Sequence, residues 1–198
     1  MPVLFRKLGI AAAGAICLAA ALPAAASKPP VVLSQTFSED ESAVTVAPAK
    51  GAPVCTVNFT EVTDARRDKT TAGVVYDRSV QSPQDTQAWM RSILGGLSRR
   101  GITPQFDVSS AGPALLAAKF SLQTVWLSGV GDSLSANVIM AVDAAGPGGQ
   151  TLSQTYRGRV SKMNWASGAG EMEKALDDAF SDALNRMAPD LSKLCPAG

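Results

Sequence analysis

The stretch from Lys119 to Val160 constrains this chain more than any other. Apolar and polar residues alternate there at period two through three successive segments, with turn chemistry at each break. In the first segment Phe120, Leu122, Thr124 and Trp126 share one face, and Ser121, Gln123, Val125 and Leu127 share the other. In the second, Leu134, Ala136, Val138, Met140 and Val142 alternate with Ser135, Asn137, Ile139, Ala141 and Asp143. In the third, Leu152, Gln154, Tyr156, Gly158 and Val160 alternate with Thr151, Ser153, Thr155, Arg157 and Arg159. Gly129 to Asp132 and Gly146-Pro147-Gly148-Gly149 supply the turns, since glycine tolerates positive φ and proline fixes it near −65°. The pattern predicts a three-stranded antiparallel meander with one buried and one wet face.

Two amphipathic helices flank it. Ser82 is placed as an N-cap, followed by Pro83 and Asp85, before a stripe of Trp89, Met90, Ile93, Leu94 and Leu97. Arg99 and Arg100 suit the negative C-terminal end, and Gly101 a left-handed stop. Gly95-Gly96 weakens this helix by roughly 1 kcal/mol per glycine, which close packing on the sheet would explain. A second helix is expected from Gly168 to Ala188, with Met172, Leu176, Phe180, Leu184 and Met187 on its apolar side and Pro189 stopping or kinking it. Further strands are expected at Val54–Phe59, at Gly73–Val80 on an edge, and at Thr103–Ser109 with Phe106 and Val108 inward. Gly112-Pro113 turns the chain, and Ala114–Ala118 reads as a helical turn. The order predicts an α+β, two-layer sandwich: a mostly antiparallel sheet with two amphipathic helices on one face. If the first strand–helix–strand unit is parallel, its crossover should be right-handed.

The N-terminus reads as a cleaved signal peptide over residues 1–26. Arg6 and Lys7 precede an apolar run from Leu8 to Leu22, then Pro23 and Ala24-Ala25-Ala26. The run is shorter than the ~20 apolar residues of a spanning helix, so no membrane span is expected after cleavage. Cys17 follows Gly14-Ala15-Ile16, which does not fit a lipidation site. The expected location is the periplasm, not lipidated, with secretion as second choice. The leader holds two basic residues and no acidic ones, leaving 16 basic against 17 acidic. A nearly neutral domain without a basic run excludes a nucleic-acid binder. Residues 27–53, with Pro29-Pro30, Glu39-Asp40-Glu41, Pro48 and Pro53, have no sustained period. They read as an extended or flexible arm, with short β pairing at Val31–Leu33 or Ala43–Val46, before a single domain over 54–198. Two cysteines survive the leader, Cys55 and Cys195, and in an exported protein an even pair predicts a disulfide.

The chain has no histidine, which excludes Ser-His-Asp and Cys-His catalysis and every histidine-bearing metal site. The glycine-rich turn at Gly146 lacks the lysine and the following helix of a phosphate loop. Glu171, Glu173, Asp177, Asp178 and Asp182 fall mostly opposite the apolar stripe and read as a solvated face, not a metal site. The expectation is therefore no cofactor, no metal and no enzymatic activity. What remains for binding is the wet face of the sheet and the charged loop Asp64, Arg66, Arg67, Asp68 and Lys69 directly after the first strand.

Several of these segments together resemble small bacterial envelope proteins. They are Val62-Thr63-Asp64-Ala65-Arg66 at a strand end, Arg99-Arg100-Gly101-Ile102 after a helix, the meander with Tyr156-Arg157-Gly158, and the closing helix. The chain is similar to the YajG-like lipoproteins and, more distantly, to the ABC-transport auxiliary lipoproteins and TolB-amino-terminal-like domains, over roughly Val54 to Leu194. The resemblance implies a non-enzymatic accessory or assembly role at the Gram-negative envelope and carries over Asp64 and Arg66. The chain departs from these families in lacking the lipid-bearing cysteine. The function expected is that of a periplasmic accessory protein binding an envelope protein or glycan. The alternative is a small-molecule or lipid carrier with a cavity between helices and sheet, which Gly95-Gly96, Met90, Met140 and Met187 would suit. A carboxylate hydrolase is a distant third. The sequence assigns no oligomeric state.

Overall fold

In a computed structural model of the chain, the residues described are 28–46, 55–108, 116–163 and 168–195. The leader with Cys17, residue Val54, the Gly112-Pro113 turn and Ala114 lie outside them. The elements in order are β1 (Val31–Val32), β2 (Cys55–Asp64), β3 (Thr71–Val75), β4 (Arg78–Gln81), α1 (Thr86–Gly95), β5 (Ile102–Phe106), β6 (Leu116–Val130), β7 (Ser133–Ala145), β8 (Thr151–Met163) and α2 (Ala169–Lys193). Short 3-10 turns occupy Glu41–Ala43 and Gly96–Arg100.

β6 organises the sheet because it is long enough to hold two strands end to end on one edge. Its first half pairs with β2 and its second half with β3, both parallel. Its other edge takes β7, and β8 follows, both antiparallel as the alternation requires. β5 lies parallel on β2, β4 antiparallel on β3, and β1 parallel on β4. The result is a mixed sheet of eight described strands, not a mostly antiparallel one. Half-buried strands alternate identically whichever way their neighbours run, so direction is invisible in the pattern. The anticipated parallel strand–helix–strand unit is β2, α1 and β5.

β7 follows the expected faces, with Leu134, Ala136, Val138, Met140 and Val142 all buried. β6 does not. Leu122 pairs with Met140 but Thr124 with Ile139, so Gln123 is an extra residue in a β-bulge. One extra residue exchanges the faces of everything after it. Val125 and Leu127 therefore point into the core, and Trp126 points out at 48% exposure. Leu116–Ala118 open β6 and are not a helical turn. The expected Gly73–Val80 strand is a hairpin turning at Tyr76 and Asp77, whose φ values are 48° and 63°. Asp77 is a residue type that tolerates positive φ, but Tyr76 gives no sign of it. β3 is interior, since it pairs with both β4 and β6. Val108 is exposed, not inward.

Asp85, not Ser82, caps α1: its Oδ1 accepts the Ala88 N–H at 2.9 Å. Pro83 biases Ser82 toward extended backbone, delaying the helix by one turn. The helix tightens into the 3-10 turn at Gly96 and ends at Gly101, whose φ is 79°. A Cβ on Gly96 would lie 2.7 Å from the Phe37 ring and 3.0 Å from Leu184. Close packing is found at Gly96, against the N-terminal arm and α2 instead of the sheet, but not at Gly95, where a Cβ would meet nothing within 4 Å. α2 continues through Pro189 to Lys193. Proline inside a helix costs about 3 kcal/mol, yet buried Leu191 beyond it and the covalent tie at Cys195 hold the last turn in place.

α2 lies on β7 and β8 at very short range. A Cβ on Gly158 would fall 1.7 Å from the Ala179 carbonyl oxygen, so only glycine lets the helix backbone approach this strand. Trp89, Phe180 and Leu184 from the helices share one buried cluster with Leu122, Val138 and Met140 from the sheet. Trp89 meets Phe180 edge-on with ring centres 5.5 Å apart. Leu184 is fully buried, so Leu184→Ala should cost about 3 kcal/mol in urea-monitored stability. A loss below about 0.5 kcal/mol would mean that α2 does not pack here.

Candidate functional site

The loop after β2 has an inner half and an outer half. Asp64 and Arg66 are both buried. Arg66 donates from Nε to Asp64 Oδ1 at 2.8 Å and from Nη2 to Asp64 Oδ2 at 2.7 Å, a two-pronged pair. It also donates to Ser82 Oγ at 2.7 Å and to the Lys69 carbonyl at 3.1 Å, and its guanidinium lies 5.6 Å from the Trp89 ring centre. Both residues expected as partner contacts are thus turned inward, where they fasten the loop to α1. Asp68 is exposed, but its Oδ1 accepts from the Thr71 and Thr70 N–H groups and from Thr70 Oγ1. Those bonds, the Thr71 N–H foremost, hold its carboxyl well below the usual carboxylate range. Arg67 and Lys69 are exposed and remain available for contact.

Residues 28–46 of the arm form a strap across the two helices. β1 pairs with β4, the first of the two short pairings expected. Farther along, Phe37 donates its N–H to Ser92 Oγ at 2.9 Å and sets its ring edge-on to Phe180. Glu39 enters the interior and pairs with Arg100, both side chains almost fully buried. Ser34 and Ser38 donate their N–H groups to Glu173 and Asp177 of α2. The acidic side of α2 is therefore partly covered by the arm, not simply solvated.

Asp177 shows the consequence. Burial under the arm is the main cause that raises its carboxyl to about 7; the Ser38 N–H opposes the shift, Glu173 and Asp178 reinforce it, and Lys174 opposes it. A carboxyl raised in the folded state binds its proton more tightly there than in the unfolded chain. Stability should accordingly be greatest below about pH 4 as far as this group is concerned, and should fall as pH rises towards 7. Asp177→Asn keeps an acceptor for Ser38 and should flatten that part of the profile in denaturation series between pH 5 and 8. An unchanged slope would remove Asp177 as its source.

Met90, Met140 and Met187 are all fully buried in the core, and Phe37 occupies the notch at Gly96. Met90, Met140, Met187 and Gly96, which suited a lipid cavity, are packing elements. Among the described residues no group of three His, Cys, Asp or Glu side chains is placed to hold a metal ion. No described helix is long and apolar enough to cross a membrane. Cys55 and Cys195 form the disulfide, with Cα atoms 5.7 Å apart.

Among the described residues the outer face of β6, β7 and β8 is open. The strand register aligns Trp126, Asn137 and Arg159 in one row across β6, β7 and β8, and Thr124, Ile139 and Arg157 in the next. Two shallow depressions continue along the same face. One, of about 370 Å³, is floored by Ala117 and Ala145 between Lys119 and Asp143; the other, of about 460 Å³, lies over Ser121, Gln123, Ala141 and Thr155. The wet face was legible from alternation, but Trp126 was not, because the bulge that turns it outward leaves no periodic signal.

Scans of protein-family models and of curated proteins find no match to this chain. Solved structures do resemble it at low identity. An uncharacterised protein superposes with a TM-score of 0.47 and 11% identity, covering 82% of this chain and 99% of its own. A Xanthomonas campestris protein of the DUF330 family gives 0.45 and 12%, covering 76% of this chain and 91% of its own. A lipoprotein from Neisseria meningitidis gives 0.34 and 13%, covering 68% of this chain and 99% of its own. No family model stands behind the more specific YajG-like resemblance.

Proposed function

We propose that this protein is a non-enzymatic accessory protein of the cell envelope, exported to the periplasm, that binds an envelope protein or glycan. The observation that carries this reading is the open sheet face. It is broad and polar, is backed by the buried core, and bears an exposed tryptophan and two arginines. Such a face is a surface for contact; catalysis asks for a cleft in which reactive groups converge. The leader supports export, and the covalent Cys55–Cys195 tie suits an oxidising compartment. The buried charged pairs, Asp64 with Arg66 and Glu39 with Arg100, serve the fold. Arg67 and Lys69 form a second, smaller contact point at the loop.

The test is photo-crosslinking in living cells from two positions, Lys69 on the loop and Ser135 on the sheet face. A discrete adduct to an envelope component from either position is the expected result. If neither yields one while the protein is folded in the periplasm, the accessory-binding reading fails. Native mass spectrometry of the same material addresses the carrier reading, and the chain should fly without a bound lipid.

A further inference from the structure

We propose that the outer sheet face is a platform for an acidic polysaccharide, in which Trp126 stacks on a sugar ring while Arg157 and Arg159 meet its anionic groups. The proposal deepens the envelope-binding reading and rests on it. Trp126 and Arg159 are separated by one intervening strand, so their backbones lie about 10 Å apart, and Arg157 and Arg159 lie about 7 Å apart along β8. These spacings span neighbouring units of a sugar chain.

The charges single out an anion. Neither guanidinium has a hydrogen bond or ion pair among the described residues; the contact at Arg159 is its backbone N–H to Asp182, on the strand edge. Asp143 is the one carboxylate at an outward position of these three described strands, and it accepts from Ser153 Oγ at 2.6 Å. Lys119 is taken by Glu61 at 3.2 Å. The acidic residues of α2 lie on the opposite layer, so among the described residues Arg157 and Arg159 leave this face with unpaired positive charge. Two free guanidinium forks offer the planar, bidentate geometry that carboxylates and phosphates accept.

The surroundings single out a carbohydrate. Outward neighbours of the arginines are chiefly hydroxyls and amides, among them Thr124, Ser135, Asn137, Thr155 and Ser161. Each can both donate and accept, matching a polyhydroxylated chain. The exposed indole offers the electron-rich ring face against which the C–H groups of a pyranose pack. A protein partner would be expected to find several buried anchors, and among the described outward residues of β6, β7 and β8 Trp126 is the sole aromatic. Val130 and Met163 stand exposed at the hairpin end, but Asp132 in the same turn would repel an anionic bilayer.

Isothermal titration of protein purified from the periplasm, at low salt, should show binding of an oligogalacturonate and none of maltohexaose. Binding should weaken as salt is raised. Trp126→Ala, and separately Arg157→Ala with Arg159→Ala, should each reduce affinity by about tenfold or more, and Trp126→Phe should retain much of it. Lys119→Ala should leave it unchanged. All these positions are at the surface, and unaltered unfolding midpoints would establish that the variants fold. The proposal is overturned if oligogalacturonate does not bind, if maltohexaose binds equally, or if the variants bind like the parent. It is equally overturned if single-stranded oligothymidylate or phosphatidylglycerol vesicles bind more tightly than the acidic sugar. Failure of the sugar to bind, with adducts still forming from Lys69 or Ser135 in cells, would sink this inference and leave the accessory role standing.

Discussion

Replacing both Cys55 and Cys195 by serine will lower the stability of the domain by about 5 kcal/mol, the largest single effect expected for this chain. The bond joins residues 140 apart in sequence, from the first residue of β2 to the residues just beyond α2. Without it the unfolded chain gains the freedom of an almost domain-length loop, and that gain grows with the logarithm of loop length. The native state suffers too. The last turn of α2 follows Pro189, and the covalent tie helps keep Leu191 and Leu194 against the core. Guanidinium denaturation of parent and double variant is the direct measurement, with reductant as a second route to the same state. A difference below about 1 kcal/mol would show that the unlinked chain stays compact enough to lose little.

Arg100→Ala is expected to cost about 3–5 kcal/mol, because it leaves the Glu39 carboxylate buried without its counter-charge. Arg100 is 3% exposed. Its Nε donates to Asn185 Oδ1 at 2.8 Å and its Nη1 to the Gly96 carbonyl at 2.8 Å and Glu39 Oε2 at 3.1 Å. Nη2 reaches the Ser181 carbonyl at 3.3 Å and pairs with Glu39 Oε1, which also accepts from Ser181 Oγ. One guanidinium thus ties the arm, the end of α1 and the middle of α2 together. The exposed Asp40–Lys174 contact is too solvated to replace it. Limited proteolysis should therefore cut the variant within residues 34–46, where the parent is protected. Changing both partners, Glu39→Gln with Arg100→Met, should recover much of the loss, since the penalty is chiefly the orphaned charge. If Arg100→Ala unfolds at the parental midpoint and keeps its arm, the strap is not part of the core.

What the sequence determined by itself is what short-range pattern and chemistry can encode. Alternation placed Leu134, Ala136, Val138, Met140 and Val142 of β7 correctly, because side-chain direction in a strand repeats every two residues whatever lies beside it. Helical spacing found the buried stripes of α1 and α2 for the same reason. Cysteine parity after the leader named the disulfide, since only two candidates remained. Tertiary structure decided whatever depends on a neighbour distant in sequence. Strand direction depends on how the chain returns, so the sheet became mixed through the parallel β2, β3 and β5. The bulge at Gln123 depends on fitting β6 to β7, and it exchanged Trp126 for Val125 and Leu127. Arg66 and Arg100 look in sequence like any surface arginine. One is buried by folding back onto Asp64 and Trp89; the other is buried by Glu39, 61 residues away. A charged residue is carried into the interior only when a partner arrives to meet it, and the partner's arrival is a property of the fold.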